Sequence, residues 1–242
     1  MIQLRQIKKD VFSAYFQIID TETREVPVKV QGKSETMTQY SSVVQYWKVI
    51  GGVWVEGKLG SMDAKVHIEM FGKNLDLRLY GSGYCNTHLD GKAYKIFRQY
   101  EILENGGLMG KVHQVDLKRS WLRISSYLEL QYGNDLLKAY SVSKGTDTHI
   151  CIYRKEEQIA QIEKSTIIHN DLHYYDIYAT EQFLAIEAVL FSVYGYVISC
   201  FKPGEKVTKS YCKYYHTTTD PFLLSKYHPE FLKEWEEKKS ET

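Results

Sequence analysis

Apolar and polar residues alternate with a period of two through most of this chain. Val66, Ile68 and Met70 interleave with His67 and Glu69, and Leu75, Leu77 and Leu79 with Asp76 and Arg78. That period predicts strands with one buried and one wet face. The same reading gives strands near 15–19, 26–30, 43–50, 53–59, 94–103, 108–113, 121–131, 136–142, 149–154, 158–163 and 174–179. Turn chemistry separates many of them: Gly51-Gly52, Gly72-Lys73-Asn74, Asn105-Gly106-Gly107, Gly133-Asn134-Asp135 and Asn170-Asp171. About a dozen short strands at this spacing predict a mainly β domain, a barrel or a sandwich. A weak repeat lies inside the region. Shifted by 50 residues, Tyr100, Ile102, Gly110 and Val112 fall on Ile150, Ile152, Ala160 and Ile162. Either two hairpins share a common pattern, or a duplication makes the sheet two related halves.

The rhythm breaks at 181–201, where large apolar residues run all round a helical wheel. A helix buried on every side is expected to look like this. Thr180 can cap it, Glu181 suits its first turn, and Lys202-Pro203-Gly204 ends it. One narrow stripe is small (Ala188, Ser192, Gly195 and Ser199), which predicts a sheet wall approaching closely. A membrane span is the rival reading, since residues 183–201 at helical rise cover roughly 28 Å against a hydrocarbon core of ~30 Å. Glu187 weighs against it, because a mid-span acid costs on the order of 2.5–3.5 kcal/mol. After the helix, 205–216 reads as a last strand. Asp220-Pro221 then opens a short helical tail over 217–242, with Phe222, Leu223, Phe231, Leu232 and Trp235 as the face that docks on the body or on a protein partner. Residues 1–216 form the single β domain.

Composition narrows the classes. Aromatics make up 14%, with 20 Tyr, which favours pleated packing surfaces. The four prolines leave 28–202 without one, so no linker is expected there. Net charge is +1, from 31 basic and 30 acidic side chains, which argues against nucleic acid as a partner. Cys85, Cys151, Cys200 and Cys212 are unpaired in spacing, predicting neither a disulfide framework nor a zinc knuckle. The stretch 11–19 reads as a strand rather than a signal peptide, which makes the cytoplasm the expected location.

The order of parts resembles the tubby C-terminal-like superfamily, in its LURP-one-related and phospholipid-scramblase-like branch. The likeness is carried by "HICIYRKEEQIAQIEK" at 149–164, by "DLHYYDIYATEQFLAIEAVLFSVYGYVIS" at 171–199, and by the hairpin "YEILENGGLMGKV" at 100–112. It covers less than half of the chain. The resemblance implies a closed antiparallel barrel of about twelve strands threaded by the apolar helix, and a tendency toward phospholipid recognition. Two departures stand out: some forty residues follow the helix, and no basic motif matches the family's phosphoinositide site. No binding residue carries over.

Chemistry is sparse. His169 and His173 have the i, i+4 spacing of a metal pair on a helix, but their neighbours read as strands around an Asn-Asp turn, which scatters the rings. Gly81-Ser82-Gly83 lacks the third glycine and the helix of a dinucleotide site and reads as a turn. No metal, cofactor or catalytic residue is expected. The run 202–216 carries Lys202, Lys206, Lys209 and Lys213 against Glu205 alone. In one strand Lys209, Tyr211, Lys213 and Tyr215 would share a face. Ammonium charge beside phenol hydroxyls suits an anionic head group; the plain alternative is an edge strand kept soluble by lysines. The expectation is a cytoplasmic, non-enzymatic module that binds an anionic lipid head group or a similar anionic ligand on its outer surface, with a peripheral membrane as one partner. The alternatives are a scaffold docking through the tail, or an enzyme whose site assembles from distant residues. A barrel filled by its own helix would leave no room for an internal ligand.

Overall fold

The computed structural model describes all residues except 30–38, 60–63, 82–84, 90–91, 121–122, 166, 182–183, 209–210, 214 and 241–242. Alternation becomes pleat directly. In β4 (Ala64–Met70) every second residue, Ala64, Val66, Ile68 and Met70, is buried. Its neighbours in the chain are β1 (Ile2–Lys9), β2 (Ser13–Lys29), β3 (Gln39–Gly57) and β5 (Lys73–Gly81). A short β6 (Cys85–Leu89) hangs on β7 (Lys92–Glu104), which leads into β8 (Gly107–Ser120), β9 (Arg123–Tyr132) and β10 (Asp135–Gly145). Then come β11 (Asp147–Arg154), β12 (Glu157–Ser165), a three-residue β13 (Ile167–His169) and β14 (Tyr174–Ala179). Each main strand pairs antiparallel with the next, β11 pairs with β10, and β14 pairs with β1. The result is a closed twelve-strand barrel. Closure leaves the ring no free edge.

Helix α1 (Leu184–Ser199) is buried along both walls of the barrel. Thirteen of its sixteen residues are buried, and they share one core with inward residues from around the ring, among them Phe16, Val53, Ile102, Leu130 and Ile162. Tyr196 packs edge-on to Phe16 and its hydroxyl accepts a hydrogen bond from Gln6 Nε2 at 3.1 Å. Opposite, the Tyr194 hydroxyl donates to the Arg98 carbonyl at 2.9 Å. Arg98 sits at a bulge in β7 with φ of 46°, and its guanidinium donates to the last-turn carbonyl of Ile198. A bulge here re-aims a side chain to cap the helix end. Thr180 is not the N-cap; its hydroxyl donates to the Ile159 carbonyl and ties the entry segment to β12. Among the described residues no helix is long and apolar enough to cross a membrane.

Two expectations change, and one strand is new. Gly51-Gly52 is no turn but lies within the unbroken β3, because the Glu69 carbonyl of β4 backs directly onto Gly51 and leaves no space for a side chain. Strand β1 lacks a clean alternation and is found only through its pairing with β2 and β14. The repeated hairpins β7–β8 and β11–β12 are alike in detail: Ile102 faces Gly110, Ile152 faces Ala160, and each pair adjoins a register shift. They stand four places apart in the ring, however, so they do not divide the barrel into halves.

The tail lies on the barrel's outer wall. β16 (His216–Thr217) pairs with Lys144 and Gly145, and Asp220 caps α2 (Pro221–Leu224). Phe222, Leu223 and Tyr227 then cover Tyr127, Tyr140, Cys151 and Tyr153, whose side chains point away from the core helix. In α3 (Phe231–Ser240), Phe231 is buried and the Trp235 indole donates to the Ala179 carbonyl at 2.8 Å. Leu232 is half-buried.

Candidate functional site

The basic segment after α1 does not form one strand. Pro203 packs on Gly57, where no side chain would fit, and the Gly204 amide donates to the Val11 carbonyl at 2.8 Å. The Thr208 amide donates to the Asp171 carboxylate. Among the described residues of the segment, β15 (Tyr211–Lys213) pairs with β13 in a two-stranded ribbon outside the barrel, and His216 begins the separate β16. The chain leaves the helix there and must cross the barrel mouth to reach the outer wall, so its hydrogen bonds go to successive loops. Of the predicted anion-binding residues, Lys202, Lys206, Tyr211, Lys213 and Tyr215 are exposed on this segment, and Lys209 lies outside the described residues. Tyr211 stacks at an angle against His169. Lys213 lies over the Tyr215 ring at 4.9 Å, and its hydrogen bond with that phenol holds the ammonium above its ordinary range.

The crossing brings in residues that the sequence reading missed. The β1–β2 turn presents Val11 and Phe12, and the end of β3 presents Lys58 and Leu59. Phe12 is 44% exposed and Leu59 75%. Both belong to the patch, since the Gly57 amide donates to the Phe12 carbonyl and Leu59 covers Gly204. Lysines 8, 58, 202, 206 and 213 are exposed along the same end. Acids are present as partners: Asp10 pairs with Lys8 at 2.8 Å, Glu205 with Lys202 at 3.4 Å and Asp171 with Lys9 at 3.5 Å. Apolar residues at turn tips, where polar ones are the rule, were the available signal.

The opposite end is different. There Arg154 meets Asp135 at 3.2 Å and Glu181 at 3.9 Å, while Lys73, Glu104 and Tyr132 share hydrogen bonds. The β11–β12 turn adds exposed Lys155, Glu156 and Glu157, and Glu156 pairs with Lys226 at 3.2 Å. Glu187 is buried in the first turn of α1 near this end with one carboxylate oxygen unpartnered, and burial pushes it up to about 7.

His169 and His173 do not converge. His169 is exposed, whereas His173 is buried with its ring 5.3 Å from Tyr196, and burial pushes it down to about 3. The turn between them exists, with Asn170 and Asp171 at φ of 53° and 55°, but β13 and β14 leave it for different sheets. Glu187 and His173 lie at opposite ends of the helix and cannot act on one substrate.

The small stripe on α1 is also corrected. A Cβ on Gly195 would meet only Leu128, at 4.0 Å, so no wall comes close. Ser192, Gly195 and Ser199 instead line a cavity of about 230 Å³, bounded on the sheet side by β8 to β12 and β14. Its lining reaches the exposed Ser126 and Ser141, at the same barrel end as Lys202. The chain matches no family model, no curated protein and no solved structure.

Proposed function

We propose that the chain is a non-enzymatic binding module that docks on an anionic lipid surface through the barrel end carrying Phe12, Leu59, Lys58, Lys202, Lys206 and Lys213. One observation carries the reading: at this end the exposed Phe12 and Leu59 stand among the exposed Lys8, Lys58, Lys202 and Lys206, whereas at the other end cations and acids are paired with each other. Apolar groups rimmed by cations are what a headgroup region accepts. The barrel architecture agrees with the resemblance to the tubby-like superfamily, which has a tendency toward phospholipids. The scaffold alternative draws less support, because Phe222, Leu223, Phe231 and Trp235 rest on the chain's own barrel.

Magnitudes set the expected strength. Each lysine near an anionic surface contributes about 1 kcal/mol. Burying an apolar side chain such as Phe12 or Leu59 contributes about 1.5–3 kcal/mol. Association costs offset much of this, leaving weak, salt-sensitive binding. In co-sedimentation, the chain is expected to bind phosphatidylserine-containing vesicles at low salt, and to release them at high salt or on pure phosphatidylcholine. Lys58→Glu with Lys206→Glu should abolish binding, and Phe12→Ser with Leu59→Ser should weaken it about tenfold or more, both with unchanged melting temperature. Equal binding by wild type and both variants would reject the proposal.

A further inference from the structure

The cavity beside α1 is built asymmetrically. Phe191 and Ile198 of the helix and Leu128, Ala139 and Ile150 of the wall make it mostly apolar. On one side stand Lys164 and Tyr175. Lys164 has no ion pair among the described residues; its ammonium lies 3.7 Å from the Cys200 sulfur and 5.8 Å from the Tyr175 ring centre. A thiol is a poor acceptor for an ammonium. Tyr175 is 2% exposed, and its hydroxyl has no hydrogen-bond partner. Leaving such a donor unmade is costly, which makes it notable in a native core. Among the other lining residues, Gln114 and Ser126 both donate to Asp116.

We infer that this barrel mouth is a binding site for a small monocarboxylate with an apolar tail. The carboxylate accepts from the Lys164 ammonium, and the tail lies over Phe191, Ile198 and Leu128 in the space that Gly195 leaves. The size fits: a dry cavity of about 150 Å³ holds benzene, and this one, at about 230 Å³, takes a longer group. The site requires no membrane, so it stands apart from the docking surface.

Calorimetric titration of the full chain with octanoate, without vesicles, tests the inference. Octanoate is expected to bind one to one, about tenfold tighter than 1-octanol, as one charge-assisted hydrogen bond allows. Lys164→Met should bring octanoate down to the level of the alcohol. Gly195→Leu should fill the cavity and abolish binding of both, with a melting temperature equal to or above wild type. No binding of octanoate at millimolar concentration, or equal binding by wild type and Lys164→Met, would overturn the proposal. So would unchanged binding by a folded Gly195→Leu variant.

Discussion

Gly110→Val is expected to destabilise the barrel more than any substitution on its surface, by at least ~3 kcal/mol. The reason is local. A Cβ on Gly110 would occupy the place of the Gln131 carbonyl on β9, which is backbone and cannot swing aside. Relief requires parting two strands of a closed ring, and closure spreads that displacement to every neighbour. Such a loss is a large fraction of the ~5–15 kcal/mol that holds a domain together. Gly107→Ala supplies the control, because its Cβ would stand 3.5 Å from the Glu104 carbonyl, an ordinary contact. Chemical denaturation of the two variants measures the difference. Equal midpoints would mean that β8 and β9 are not so closely set.

Glu187→Gln is expected to stabilise the protein in a pH-dependent way. Burial raises the carboxyl from its ordinary 4.5 to about 7, so the fold favours the protonated form. The stability this group contributes is complete below about pH 4.5 and is lost as the pH rises through 7. At ~1.36 kcal/mol per unit, the loss reaches about 3 kcal/mol by pH 8. Arg154 and Lys73 ease the cost, and Asp135 adds to it. His173 titrates in the opposite sense: held neutral, it contributes stability above its ordinary 6.5 that is lost as the pH falls toward 3. It is common to both proteins and cancels in the difference. Variant minus wild-type unfolding free energy should therefore climb between pH 4 and 8 and then level off. Parallel curves would show that Glu187 is solvated in the fold.

These two residues also show which parts of the structure the sequence makes legible. Alternation at 66–70 and 75–79 found β4 and β5, because one face of each is core. The all-round apolar run found α1, since a helix enclosed by sheet needs no polar face. Gly51-Gly52 misled, because a glycine needed for close strand approach looks the same as one needed for a turn. The stripe at Ser192, Gly195 and Ser199 misled in the other direction: small residues mark space, and only the fold decides whether a wall or a cavity occupies it. At the candidate site, the lysines after α1 were visible as a local charge excess. Phe12 and Leu59 join them only through backbone hydrogen bonds and packing between segments distant in the chain, which no local pattern encodes.

The most direct test of which end meets lipid is hydrogen–deuterium exchange with and without phosphatidylserine vesicles. Residues 8–14, 57–59 and 201–208 should gain protection together, while the opposite turns at 71–72, 105–106, 133–134 and 155–156 exchange as they do in solution. Protection at those opposite turns, or along 231–240, with none at 8–14 and 57–59, would contradict the account.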